Sequence, residues 1–174
     1  MIAMSTTALM TFAEFQRLPD TPGKQELIDG ELVSMPPPEL KHTQIVKRVY
    51  HLFWRNLPES RVWPDHTGYR IGGGWIEPDV SVSWPDQKQD EQYFVGAPMV
   101  AVEILSPGED IERKLTLYFS EGALEVWVIS IKHKSLTIYA RREQQVIRLD
   151  VVQSYWSESA QTSVSLTDLF VGAT

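Results

Sequence analysis

Two stretches of the sequence are apolar on both alternating sides, which is the pattern of a strand buried in the middle of a sheet. They cover residues 99–105 and 125–131. Between them, residues 111–121 follow a helical pattern that ends before Gly122. A strand–helix–strand unit of this length is a crossover, and we therefore expect its two strands to be parallel.

Shorter strand patterns lie before and after this unit. Asp29-Gly30 is the strongest hairpin signal in the chain, and it divides residues 25–35 into two short strands. Further strand patterns cover residues 61–65, 68–76, 79–84, 135–140 and 146–152. The last two of these segments are expected to form an antiparallel pair.

Helical patterns occur between these strands. Residues 41–57 have the longest one, which Pro58 ends, and residues 11–18 predict a short helix capped by Thr11. Residues 166–169 predict a final turn or short helix. The order of elements indicates an α/β (α+β) fold with a mixed β-sheet flanked by α-helices and an N-terminal hairpin. We expect one domain over residues 11–174, preceded by a flexible segment at residues 1–10.

The absence of cysteine limits the chemistry of the chain. The sequence has 174 residues and no Cys, which excludes disulfides, thiolate nucleophiles and Cys-based zinc sites. A metal would therefore be held by carboxylates, His and backbone oxygens, a donor set that suits Mg²⁺, Mn²⁺ or Ca²⁺. Neither a Gly-x-Ser-x-Gly element nor a phosphate-binding P-loop is present.

The net charge and hydropathy indicate a location and restrict the mode of nucleic-acid binding. No apolar stretch approaches the ~20 residues that span a membrane, and the first ten residues lack the features of a signal peptide, so a cytoplasmic location is expected. The formal net charge of −7 argues against a protein that coats nucleic acid electrostatically. It is compatible with an enzyme that meets a phosphodiester through a metal and a few local basic residues.

Glu103 is an acidic residue inside the buried strand pattern of residues 99–105. An ionised carboxylate in such a place costs several kcal/mol unless a cation or hydrogen-bond donors meet it. Asp79 begins another strand, and strand alternation allows it to converge with Glu103 if the two strands are neighbours. Two carboxylates so close require a bridging cation or a shared proton. The alternative is that Glu103 is a structural acid paired with a Lys or Arg.

Two further residues are candidates for the same site. Lys114 lies at the rim of the apolar stripe of its helix, from which its ammonium group could reach the strand ends; Arg113 is expected to face solvent. The alternative for Lys114 is an ordinary surface lysine. Glu26 should face inward because Ile28 lies two residues on, although a plain edge-strand acid is an equal alternative.

Other polar residues have weaker claims. His42 is expected to lie at the edge of the core rather than to bind a ligand, and Glu77 is either a further ligand or a loop acid. Asp110 is expected to cap the helix at residues 111–121. Glu109 and Glu112 are expected to be solvated.

Four segments together resemble the Uma2 family of restriction-type endonucleases. They are Glu26-Leu27-Ile28-Asp29-Gly30-Glu31-Leu32, Glu77-Pro78-Asp79-Val80, Val102-Glu103-Ile104-Leu105-Ser106-Pro107, and the residues from Lys114 to Trp127 that include Tyr118 and Glu125. The resemblance covers roughly residues 11–170. It implies the PD-(D/E)xK nuclease superfamily, with a restriction-endonuclease-like mixed sheet flanked by helices.

The resemblance also implies a site and a reaction. Pro78-Asp79 resembles the PD element, and Glu103 resembles the second acid. The superfamily pattern has Lys where this chain has Leu105, and the resemblance implies that Lys114 takes its place. Glu26 resembles the acid of the N-terminal element. The implied activity is DNA hydrolysis with Mg²⁺, or Mn²⁺ as a substitute, held by Asp79, Glu103 and Glu26, while Lys114 positions the attacking water.

Two other functions remain open at this point. One is a catalytically inactive binding or scaffold protein that keeps the nuclease fold, and the other is a hydrolase of another phosphoester or small nucleotide. A homodimer is plausible for the nuclease and for the scaffold. The apolar residues within positions 146–156 could form its interface, although a place in the core is the stronger interpretation.

Overall fold

The computed structural model describes residues 9–171. Of the N-terminal segment predicted to be flexible, residues 1–8 lie outside the described residues, as do residues 172–174. The backbone N–H of Met10 donates to the carbonyl of Gly30 at 2.8 Å. Between residues 9 and 171, no helix combines the length and hydropathy needed to cross a membrane.

Thirteen strands and four α-helices are present in the described residues. The helices are α1 (Phe12–Phe15), α2 (Leu40–Trp54), α3 (Ile111–Ser120) and α4 (Leu166–Phe170). The strands are β1 (Lys24–Ile28), β2 (Glu31–Met35), β3 (Val62–Pro64), β4 (Tyr69–Ile71), β5 (Gly74–Ile76), β6 (Val80–Val82), β7 (Phe94–Val95), β8 (Val100–Ile104), β9 (Glu125–Ser130), β10 (Ser135–Arg142), β11 (Gln145–Asp150), β12 (Ser154–Ser157) and β13 (Thr162–Ser165).

The central layer is a six-stranded mixed sheet in the order β11-β10-β9-β8-β6-β3. Strands β8 and β9 are parallel and α3 connects them, which confirms the predicted crossover. Strands β10 and β11 form the predicted antiparallel pair. The mixed α+β architecture with flanking helices is thus the one that the sequence indicates.

A second sheet, in the order β2-β1-β5-β4-β7, incorporates the N-terminal hairpin. The pattern had suggested one sheet with a hairpin, whereas β1 pairs with β5 through Leu27 and Trp75. Asp29 and Gly30 form the hairpin turn with φ angles of 51° and 80°. Two consecutive positive φ values are what a two-residue turn requires, and an Asp-Gly pair adopts them at little cost.

Two apolar clusters pack against opposite faces of the six-stranded sheet. On one face, α2 contributes Ile45, Val46, Val49 and Phe53 to a cluster that also contains Val102 and residues near the C-terminus. On the other face, α3 and the second sheet pack together, with Tyr118 and Ala101 in the shared cluster. Because Glu103 lies on the same side of β8 as Ala101, its side chain points into the second layer.

Candidate active site

Asp79 and Glu103 are neighbours because β6 and β8 pair antiparallel. The register places Val80 opposite Val102, and the backbone N–H of Asp79 donates to the carbonyl of Val102 at 3.0 Å. Position 79 is therefore opposite position 103. The sequence analysis predicted that Asp79 and Glu103 would converge if their strands were adjacent, and in the sheet these strands are adjacent.

Asp79 is held in a charged, hydrogen-bonded environment. Its Oδ2 accepts the backbone N–H of Ile104 at 2.7 Å, and its Oδ1 lies 3.4 Å from both Lys24 Nζ and His42 Nε2. Burial alone would raise the pKa of Asp79, but the charge of Lys24 and the bond with His42 outweigh it. The pKa falls to about 2, so the carboxylate is ionised at neutral pH.

Glu103 lies in a less compensated position. Its Oε1 accepts the Tyr118 hydroxyl at 2.5 Å, and its Oε2 lies 3.0 Å from Lys114 Nζ. Burial raises its pKa, Lys114 and Lys24 lower it, and the nearby charges of Glu26 and Asp79 raise it again. The result is a pKa of about 7, because burial and the neighbouring acids together outweigh the two ammonium groups.

Lys114 is at the centre of the cluster rather than at the rim of its helix. Its side chain is 1% exposed, and Nζ lies 2.9 Å from Glu26 Oε2, 3.0 Å from Glu103 Oε2 and 2.6 Å from Glu109 Oε1. Burial opposes its charge, but attraction to these carboxylates outweighs burial and raises the pKa of Lys114. The helical period predicted correctly that this side chain points toward the strand ends, but it did not predict that the side chain is buried.

Glu26 faces inward, as strand alternation predicts. It is fully buried, and its Oε1 accepts the backbone N–H of Glu77 at 3.1 Å. Its Oε2 has the ion-pair contact with Lys114 but no hydrogen bond, because the 2.9 Å approach lies outside hydrogen-bond geometry. One lone-pair direction of a buried carboxylate is therefore available to another cation.

Two members of the cluster were missed by sequence reasoning. Lys24 Nζ lies 3.4 Å from Asp79 Oδ1 and 3.6 Å from Glu26 Oε1. Burial opposes its charge and these acids outweigh burial, so its pKa is raised. Lys24 lies two residues before Glu26 in β1 and therefore points to the same face, so strand alternation would have identified it. Glu109 was expected to be solvated and instead binds Lys114, because the turn from Ser106 to Glu109 places it directly before the first turn of α3.

The remaining candidates lie around this cluster. His42 contacts Asp79, and its buried Nδ1 has no hydrogen-bond partner among the described residues, so it belongs to the site rather than only to the core edge. Asp110 caps α3, as expected, by accepting the N–H of Arg113. The side chain of Arg113, which was expected to face solvent, is 31% exposed and also binds Asp29, Glu31 and the carbonyl of Ile28 at the hairpin.

Glu77 lies near the site but bonds away from it. Its carboxylate accepts the Trp75 indole N–H at 2.9 Å and lies 3.4 Å from His66 Nδ1. Of the two predicted roles for Glu77, a loop acid fits these contacts better than a further ligand.

A cleft of about 740 Å³ opens beside the cluster. Glu26, Glu109 and Lys114 line it together with Pro36–Pro38 and the start of α2. A smaller cavity of about 40 Å³ adjoins it at His42 and is lined by Lys24 and Asp79. Lys114 connects the cleft with Glu103. A ligand in the cleft would therefore meet acids and ammonium groups at one end.

The donor set of the cluster can be tested against a divalent metal ion. Among residues 9–171, no three His, Asp or Glu side chains lie at the spacing of a metal-ligand group. In charge and chemistry the set does fit. Four carboxylates meet two lysines, which leaves two excess negative charges when all four are ionised. Buried carboxylate oxygens, one of them without a hydrogen bond, suit a hard cation such as Mg²⁺.

Comparison with known proteins identifies the family. The sequence matches the model of the Uma2 family, described as "Putative restriction endonuclease", over residues 12–172. The chain belongs to the Uma2 family. The match spans the five-stranded and six-stranded sheets, the β12–β13 pair and every residue of the cluster, so the resemblance of the four segments is confirmed over nearly the whole chain.

A solved structure shares the fold of this Uma2 chain. It is the crystal structure of a protein from Anabaena variabilis, described as a putative nuclease belonging to DUF820. The two chains are 24% identical and superpose with a TM-score of 0.79, over 92% of this chain and 97% of the other. No curated protein matches the sequence. The structural likeness establishes the fold, and the family match indicates a nuclease.

Proposed function

We propose that this Uma2 chain is a metal-dependent phosphodiesterase that cleaves DNA internally. The observation that carries the proposal is the convergence of Glu26, Asp79 and Glu103 from three strands at one end of the cleft. Burying three acids together is unfavourable for stability unless cations compensate them. A site that maintains such an arrangement next to a cleft is typical of metal-assisted catalysis.

Asp79, Glu103 and Glu26 are the residues that would hold Mg²⁺, or Mn²⁺ in its place. When bound, such an ion supplies Lewis-acid polarisation of a phosphoryl oxygen and eases the deprotonation of a water molecule. The Pro78-Asp79 pair and Glu103 are the residues that match the PD-(D/E)xK pattern, and Leu105 occupies the usual lysine position. DNA is the proposed substrate.

The chain's own residues orient and charge this site. Lys114 holds Glu26 and Glu103 through one ammonium group and neutralises part of their repulsion. In the proposed reaction its ammonium also positions the attacking water and stabilises negative charge at the phosphate. The Tyr118 hydroxyl fixes the orientation of the Glu103 carboxylate from the opposite side.

A second candidate function is a non-catalytic binding protein that keeps the nuclease fold, either alone or as a homodimer. The ammonium groups of Lys24 and Lys114 favour it, because they compensate part of the charge of the acids without a metal. The exposed fractions of Val146, Val152 and Trp156 are 44%, 84% and 54%. These exposed apolar side chains are the ones that the predicted dimer interface would bury. The cytoplasmic location stays a prediction from the sequence.

The test is cleavage of supercoiled plasmid in Mg²⁺, Mn²⁺ or EDTA by the full chain, its Asp79→Asn variant and a control variant, Arg17→Gln. Arg17 is exposed and outside the site. We expect nicking that needs the metal, that persists in Arg17→Gln and that disappears in Asp79→Asn. Calorimetric titration with Mn²⁺ runs in parallel. If the chain neither cuts DNA nor binds Mn²⁺, the nuclease proposal is wrong and the binding protein is supported.

A further inference from the structure

Positive charge is concentrated in one part of a chain whose net charge is −7. Residues 40–58, which include all of α2, contain Lys41, Lys47, Arg48 and Arg55 and no Asp or Glu. The turn at residues 131–134 adds Lys132 and Lys134. The acidic residues that produce the net charge therefore lie elsewhere in the chain.

These basic side chains occupy the face of α2 that is turned away from the core. Lys41, Lys47 and Arg55 are exposed, whereas Ile45 and Val49 of the same helix are buried. None of the ion pairs formed within residues 9–171 involves these three basic residues. Their charges are thus available to an external anion.

Arg55 Nε donates to the carbonyl of His51 at 3.3 Å, and more of the charge of Arg48 is used within the fold. The guanidinium of Arg48 donates to the carbonyls of Leu169 and Val171, both at 2.5 Å, and so fixes the end of α4 against α2. Asp168 of α4 lines a groove together with Arg48 and Arg55, and it accepts the N–H and hydroxyl of Ser165 as a helix cap.

The basic face is continuous with the catalytic cleft. Lys41 and Lys132 line the cleft of about 740 Å³. Lys41 also lines a cavity of about 50 Å³ together with Gln44, Arg48 and Lys134. Gln44 and Arg48 in turn line a shallow groove of about 830 Å³ that extends to Arg55. Shared residues thus connect three adjoining depressions into one path.

We propose that this path, from the cleft along α2 to Arg55, binds the sugar-phosphate backbone of DNA. The proposal rests on the proposed nuclease function, because that function requires the bound strand to lead into the cleft. Lys41 and Arg55 are 14 positions apart, which is about 21 Å along a helix. That length corresponds to roughly six nucleotides of one strand at about 3.4 Å each. The overall negative charge then limits non-specific binding elsewhere on the molecule.

An anionic membrane is a less suitable partner for the same surface. A basic helix that binds bilayers inserts its apolar face into the lipid. In this fold the apolar face of α2, including Phe53, is in the core, and Leu40 and Trp54 are the large apolar side chains of α2 that are exposed. Phosphate contacts from the exposed face need no such insertion.

The experiment measures binding apart from cleavage. Fluorescence anisotropy with a labelled 20-base-pair duplex is recorded for the full chain in EDTA at 50–200 mM KCl. We compare Lys47→Gln/Arg55→Gln with a control of equal charge change, Arg17→Gln/Lys88→Gln, whose positions are exposed and outside the three depressions. The first variant is expected to bind about tenfold more weakly at 50 mM salt. Its log Kd–log salt slope should be shallower by about 1.8, since each lost phosphate contact removes ~0.9.

Equal losses in both double variants would overturn the proposal, since only net charge would then matter. The proposal is also wrong if the wild-type chain does not bind the duplex, or binds only phosphatidylglycerol vesicles. Cleavage in Mg²⁺ is scored separately. If the Lys47→Gln/Arg55→Gln variant alone loses binding and the wild-type chain does not cleave DNA, the DNA surface is supported and the nuclease function is wrong. If the wild-type chain cleaves DNA and the variant binds the duplex as well as the wild type does, the nuclease function is supported and the DNA surface is wrong.

Discussion

Glu103 and Glu125 are both fully or almost fully buried on adjacent parallel strands, but their surroundings differ completely. Glu125 accepts hydrogen bonds from three neutral donors: the Trp127 indole at 2.9 Å, the Ser157 hydroxyl at 2.8 Å and the Tyr155 hydroxyl at 3.3 Å. Glu103 instead shares a lysine with other acids beside a cleft.

The comparison shows that burial alone does not make an acid functional. Neutral donors satisfy the Glu125 carboxylate and connect β9 with the β12–β13 hairpin, so its contribution is to the fold. The Glu103 carboxylate has one hydroxyl donor and part of one ammonium charge. A group that is buried and incompletely compensated is one that a bound cation would stabilise.

The largest expected difference is in catalysis, and matched Glu→Gln substitutions measure it. Glu103→Gln should lower the rate of Mg²⁺-dependent plasmid cleavage by about two to three orders of magnitude, since it removes a charge at the reacting centre. Glu125→Gln should retain the rate per folded molecule. Equal losses of rate in the two variants, with both folded by circular dichroism, would remove the functional distinction between the acids.

The position of the site was predictable wherever a periodic pattern determined it. Strand alternation predicted that Glu26 and Asp79 point inward. It also predicted that Glu103 lies beside Asp79 if their strands are adjacent, as they are in the sheet. The helical period directed Lys114 toward the same point. These are local rules with short periods, and a single sequence contains them in full.

Long-range pairing was the part that the sequence could not provide. The hairpin was predicted from Asp29-Gly30, but its pairing with β5 in a second sheet depends on contacts between distant residues. The small strands β7, β12 and β13 were missed because patterns of two to four residues are too short to indicate a strand. Glu109 was assigned to solvent because nothing in its own segment indicates that a turn folds it onto Lys114.

The second difference should appear in the pH dependence of stability without metal. The folded-state pKa of Glu103, about 7, lies above its ordinary value of 4.5, so the folded protein binds this proton more tightly. The free energy of unfolding should therefore fall by on the order of 3 kcal/mol as pH rises from 4.5 to 7. Burial opposes protonation of His42, but Asp79 raises its pKa, which extends the fall above pH 6.5.

Urea denaturation in EDTA at several pH values measures this effect. Asp79, with a pKa lowered to about 2, loses its contribution only as pH falls below its ordinary value of 3.8, and so it lies outside the window. Glu103→Gln should flatten the profile between pH 4.5 and 7, while Glu125→Gln should leave its shape unchanged. Stability of the wild-type chain that does not fall as pH rises through this range would show that Glu103 is ionised throughout.

The smallest difference should come from the two tyrosines that donate to these acids. Tyr118→Phe removes a 2.5 Å bond to Glu103 from a fully buried site, and Tyr155→Phe removes a 3.3 Å bond to Glu125 from a half-buried one. Loss of a buried donor to a charged group costs about 1.5–3 kcal/mol, whereas the partly exposed Tyr155 should cost under about 1 kcal/mol because water can replace its hydroxyl. Urea unfolding and plasmid cleavage are measured for both.

In the cleavage assay, only Tyr118→Phe should be slower than the wild-type chain, because the Glu103 carboxylate is then free to rotate. Slower cleavage by Tyr155→Phe would mean that the two acids are coupled through the sheet.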